Sequence, residues 1–109
     1  MNSIKLTVSD YEMIYNNIGY SIGYQSEVIK IENFNNEIIE KFKKYFTQTK
    51  GILLNFTINH DITIINNLME ELNDNVSDNC DIIFGTIIDE ALSQDELKVN
   101  IILTGLEQI

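Results

Sequence analysis

The chain has 109 residues, 44% of them hydrophobic and 22% charged. That suits one folded domain over residues 1–109, with a core burying roughly two thirds of the unfolded surface, and excludes the composition of a disordered segment. The formal charge is -10 and the seven basic residues are all Lys, which argues against nucleic acid, whose phosphates require clustered cations. No apolar run approaches the roughly 20 residues of a membrane span and no signal-peptide core follows Met1, so a cytoplasmic location is expected. Cys80 is the sole cysteine, which allows neither an intramolecular disulfide nor a multi-thiolate metal site.

In chain order, residues 9–17 predict a short helix. Thr7 or Ser9 is available as N-cap, Asp10 and Glu12 suit the positive end of the helix dipole, and Tyr11, Ile14 and Tyr15 are its apolar positions. Over residues 18–25 the pattern changes to alternation, with Ile18, Tyr20, Ile22 and Tyr24 on one face of a strand. Helical spacing returns with Phe34, Ile38, Phe42, Tyr45 and Phe46, predicting a long helix over residues 33–49 with Asn33 as cap. Lys41, Lys43 and Lys44 share it with Glu37 and Glu40, which reads as a solvated face.

Gly51 suits a helix-to-strand junction and opens "GILLNFTI", an apolar strand over residues 51–58. A second amphipathic helix over 61–75, capped by Asp61 or Thr63, turns Ile64, Ile65, Leu68, Met69 and Leu72 toward the core. Two strands follow, over 81–89 and 96–106, with apolar residues on both faces. The order helix, strand, helix, strand, helix, strand, strand defines an α+β fold, a mixed four-stranded sheet with two long crossover helices. Strand-helix-strand connections make parallel neighbours, and the turn before the last strand makes that strand antiparallel.

Motifs for catalysis are sparse. His60 is the only histidine, and Cys80 has no basic neighbour in sequence to lower its pKa, so no catalytic residues are predicted. Asp89, Glu90, Asp95 and Glu96 lack the alternation and central Gly of a calcium loop, and no metal site is predicted. The segment "GYSIGY" lacks the Gly-Lys-Ser/Thr of a phosphate loop. Without Arg, bidentate recognition of dicarboxylates is weakened too. A small α+β metabolite-binding domain or enzyme on such a sheet would draw on the polar residues near strand ends, Asn55, His60, Asp61 and Asp89.

Three stretches carry a family resemblance: "KGILLNFT" from Lys50, "HDIT" from His60, and "DIIFGTIIDEALSQDELKVNIILTGL" from Asp81. In this order they resemble the C-terminal domain of FtsZ, the bacterial tubulin homologue of cell division, and "IKLTVSDYEMIYNNIGYSIGYQS" is similar to the segment that opens that domain. The resemblance implies three parallel strands with an antiparallel last one. There are departures. Ile58-Asn59 stands where the family has a Gly pair, and the "DEALSQDE" turn is one residue longer.

The family binds GTP in an N-terminal domain that would precede Met1, so no GTPase activity and no cofactor are expected of this chain alone. GTP enters only if a parent protein supplies that domain. The resemblance also implies a longitudinal interface at the first loop, which in the family presents an acidic residue to the next subunit's GTP. Aligned there, Lys5 replaces an Asn and Thr7 the first Asp, while Asp10 keeps the second; a Thr cannot polarise water as a carboxylate does. The expected function is therefore association with FtsZ-like subunits in a cytoskeletal filament, as a piece of a filament protein or a stand-alone module. If no other domain covers the second, partly apolar sheet face, self-association through it, or its cover by the helix over residues 9–17, is expected.

Overall fold

The computed structural model describes residues 5–7, 12 and 17–108. Of the expected helix over 9–17 only Glu12 and Asn17 are among the described residues, and the rest lies outside them. β1 (Tyr20–Gln25) and a two-residue β2 (Ile29–Lys30) lead into a 3-10 turn (Ile31–Asn33), a π-helical turn (Asn35–Ile39) and helix α1 (Glu40–Phe46). β3 (Gly51–Ile58), α2 (Ile64–Asn73), β4 (Asp81–Ile88) and β5 (Glu96–Leu106) complete the chain. Asn33 caps no helix: the chain leaves β2 directly into the 3-10 turn, of which Asn33 is the last residue. Asp61 does act at the start of α2, its Oδ1 accepting the Thr63 amide at 3.1 Å.

The strands form one mixed sheet in the order β1-β5-β3-β4, with β2 also on β5. β3 and β4 are parallel, while β5 runs antiparallel to β1, β2 and β3. The last strand is antiparallel as expected, but it lies between β1 and β3 and is no neighbour of β4. The connection from β4 steps over the end of β3: the Asp89 amide donates to Ile58 O at 2.9 Å, and Asn59 Nδ2 donates to Leu92 O at 2.8 Å. Burial explains the order. β3 and β5 carry side chains that are covered on both faces, and such strands belong in the middle of a sheet.

One face holds the core. Ile52, Leu54, Phe56 and Ile58 of β3 and Leu97, Val99, Ile101 and Leu103 of β5 pack with Phe34, Ile38, Ile39, Phe42 and Phe46 before and within α1, and with Ile65, Leu68 and Leu72 of α2. Both helices therefore cover the same face. Phe56 sits between two aromatic neighbours, Phe34 at 6.0 Å and Phe84 at 6.4 Å between ring centroids.

The opposite face is mixed. Registers put Leu53 beside Ile83 and Ile102, and Asn55 beside Gly85 and Asn100, with Thr57, Ile87 and Lys98 further along. Leu53 is buried while Ile87 is 47% exposed. Asn17 reaches this face, its Nδ2 donating to Thr104 Oγ1 at 3.3 Å. Ile18 does not share the β1 pattern and stands 90% exposed. The reason is Gly19, whose φ of +133° breaks the alternation, and where a Cβ would lie 2.6 Å from Leu106 O.

Candidate functional site

The predicted residues fall into two groups. Lys5 and Thr7 lie in an exposed stretch without regular structure, while Asp10 lies outside the described residues.

Of the alternative ligand set, three members gather at one end of the sheet. Ile58 and Ile88 are in register, so the loops after β3 and β4 emerge together and bring His60, Asp61 and Asp89 to the same edge. Each carboxylate there already holds a turn: Asp61 Oδ1 takes the Thr63 amide, and Asp89 Oδ1 takes the Ala91 amide at 2.9 Å. His60 Nδ1 lies 3.2 Å from Asp61 O in an exposed position. Asn55 stands three residues back along β3, about 10 Å from the strand end at ordinary strand rise, on the face away from the helices. The four side chains do not line one cavity. Among the described residues no cluster of three or more His, Cys, Asp or Glu has metal-site geometry.

A cavity of about 610 Å3 lies elsewhere, where β1 passes into β2 and the 3-10 turn, lined by Tyr24, Gln25, Glu27, Val28, Lys30 and Glu37 among others. Lys30 is held there by Asp95, Nζ to Oδ2 at 3.0 Å. That hydrogen bond, with the attraction of the opposite charge, raises the Lys30 pKa above its ordinary value and lowers that of Asp95. Lys41 Nζ lies 4.7 Å from the centroid of the Tyr24 ring. Sequence reading missed this region because its floor depends on a displaced register between β1 and β2, which no periodicity records. A signal was present in Ser26, a small hydroxyl residue that breaks the alternation just after Tyr24.

A mixed sheet with an antiparallel last strand set inside it, and both crossover helices on one face, defines an α+β domain of distinct topology. A family model described as the C-terminal domain of the FtsZ family matches residues 43–107, and the chain belongs to that family. A solved structure of FtsZ from M. jannaschii, described as an empty dimer, shares the fold with a TM-score of 0.70 at 17% identity, over 94% of this chain. The chain spans 32% of the length of that one. No curated protein matches it.

Gly19 is pressed against Leu106 O, Gly105 against the Lys50 side chain, and Gly23, Gly51 and Gly85 lie within strands. Among the described residues the glycines do not form a run of amides of the kind that cradles a phosphate.

Proposed function

We propose that this domain works by association, as the C-terminal module of an FtsZ-like, tubulin-like filament of the cell-division cytoskeleton, and that alone it catalyses nothing and needs no cofactor. The observation that carries the reading is the family match over residues 43–107 on a fold shared with FtsZ over nearly the whole chain. That FtsZ structure is described as a dimer, which supports subunit contact as the mode of action. Lys5, Thr7 and Asp10 form the longitudinal contact with the next subunit. With Lys5 and Thr7 in two of the loop positions, the contact joins subunits without assisting attack on a neighbour's nucleotide. The exposed part of the mixed face, around Ile87 and its in-register neighbour Thr57, is a second contact surface for another domain or another copy.

The test is co-sedimentation of this chain with full-length FtsZ assembled with GTP, with filament lengths followed by electron microscopy. The expected result is that the chain pellets with filaments, shortens them or bundles them, and that Lys5→Glu with Asp10→Lys weakens the effect. Filaments that neither retain the chain nor change in length or bundling overturn the proposal.

A further inference from the structure

β1 is an edge strand of the sheet. The Ser26 amide donates to Val99 O at 2.8 Å, and backbone groups in an antiparallel pair face the partner at every second residue. Tyr24 and Ile22 therefore aim their backbone groups at β5, whereas the N–H and C=O of Gly23 and Gln25 point away from it. Both residues are exposed, and among the described residues nothing lies within 4 Å of where a Gly23 Cβ would stand. Natural sheet edges are commonly blunted by Lys, by Pro or by inward-pointing charge. The sequence of β1, YSIGYQ, has none of these.

Where this edge ends, the cavity of about 610 Å3 opens. Lys30 in its wall is paired with Asp95. Glu27 and Glu37, also in its wall, have no ion-pair partner among the described residues. An open strand edge thus runs into a concavity with unneutralised acid.

We propose that the β1 edge accepts an extended basic segment of another protein as an added strand, bonded through Gly23 and Gln25, with a Lys or Arg of that segment entering the cavity opposite Glu27 and Glu37. Backbone pairing supplies the affinity, and the cavity supplies the selection. Charge decides the occupant. A second copy of a chain with net charge -10 brings mostly carboxylates to this edge, whereas a basic segment brings the complement. Neither Lys5 nor Thr7 lines this cavity, and the strand-addition assay uses no filament, so it and co-sedimentation fail or succeed independently.

The probes are two synthetic eight-residue peptides, one alternating Val and Lys and the other Val and Glu, titrated into the 15N-labelled chain. The Lys peptide is expected to shift the Gly23 and Gln25 amide signals and slow their exchange, and to bind at least about tenfold more tightly than the Glu peptide. Glu27→Gln combined with Glu37→Gln is expected to reduce that preference by about tenfold, the scale of two modest charge pairs lost together. Gly23→Pro removes an outward donor while leaving the β5 ladder intact, and is expected to abolish binding of the Lys peptide. If circular dichroism shows that this variant is unfolded, the Glu variants decide the matter. Unmoved Gly23 and Gln25 signals or equal affinity for the two peptides overturn the proposal. So does the appearance of the same shifts when the chain alone is concentrated, which makes the occupant a second copy.

Discussion

Ser26 and Val99 bond to each other twice, once through backbone and once through a side chain. The Ser26 amide donates to Val99 O at 2.8 Å, and the Val99 amide donates to Ser26 Oγ, also at 2.8 Å. A regular ladder would send the Val99 amide to the Ser26 carbonyl. Here the hydroxyl takes that place while donating in turn to Glu27 O at 2.8 Å, and the backbone is free to swing outward. Gln25 pairs with Asn100 and Ile29 with Leu97, so β1 and β2 span four steps where β5 spans three. The bulge opens the cavity beside it.

Ser26→Ala is expected to destabilise the fold by about 1–3 kcal/mol, since it leaves the buried Val99 amide without its acceptor. Ser26→Thr keeps a hydroxyl in place and is expected to cost less. Urea unfolding of the two variants measures the difference, and equal midpoints for Ser26→Ala and the unmodified chain would show the bond to be dispensable.

Phe56 occupies the middle of the core, fully buried on the central strand β3 with Phe34 and Phe84 on either side. Phe56→Ala is expected to lose about 3–5 kcal/mol, from lost burial, the cavity left behind and the two ring contacts removed. Phe56→Leu should lose less than half of that. Thermal and chemical unfolding of both variants distinguish this site from an exposed hydrophobic such as Ile87, where Ala is expected to change little.

The elements were legible because their periodicities are strong. Phe34, Ile38, Phe42 and Phe46 fall on one helical stripe, and Ile52, Leu54, Phe56 and Ile58 on one face of a strand, and these same residues build the core. Leu53 and Leu54 lie on opposite faces of β3 and both are buried, a two-sided cover that the reading of residues 51–58 as an apolar strand left unstated. The order of strands was not legible. Periodicity says which face of a strand is apolar but nothing about its lateral neighbour, so the step of the β4–β5 connection across β3, held by Asn59 and Leu92, could not be read. Nor could β2, two residues defined wholly by pairing with Leu97 and Glu96. In the candidate ligand set, sequence placed Asn55, His60, Asp61 and Asp89 near strand ends; the structure has the last three there and Asn55 in the middle of β3. Composition alone did not reveal that Asp61 and Asp89 each commit their Oδ1 to the turn that carries them.

Gly105 and Gly23 make a paired test of backbone demand. Gly105 has φ +71°, and a Cβ there would lie 2.7 Å from the Lys50 Cβ, at the place where the pairing between β1 and β5 is irregular. Gly105→Ala is expected to cost about 1–3 kcal/mol, because an L side chain is strained in that conformation and crowded as well. Gly23 lies in open space without a positive φ. Gly23→Ala is expected to be neutral, or to stabilise by up to about 1 kcal/mol by restricting the unfolded chain. A clear loss for Gly105→Ala beside no loss for Gly23→Ala in one urea series is the expected outcome.

Cys80 supplies the last prediction. Burial of its half-covered thiol, and secondarily the negative charge of Asp81, raise its pKa from 9.0 to about 11. Because the thiolate is the nucleophile, alkylation by iodoacetamide at pH 8.5 is expected to run roughly ten- to a hundredfold slower in the folded chain than in urea, with the rate still climbing above pH 10. A folded pKa above the unfolded one means that the native state holds its proton more tightly. The associated stability is present below pH 9 and declines as pH rises toward 11. Cys80→Ser is expected to remove that part of the alkaline decline while leaving the urea midpoint at pH 7 little changed. Asp81→Asn should lower the midpoint of the alkylation profile only slightly, since burial is the larger cause. A profile centred near pH 9 in the folded chain would show that the thiol is solvated.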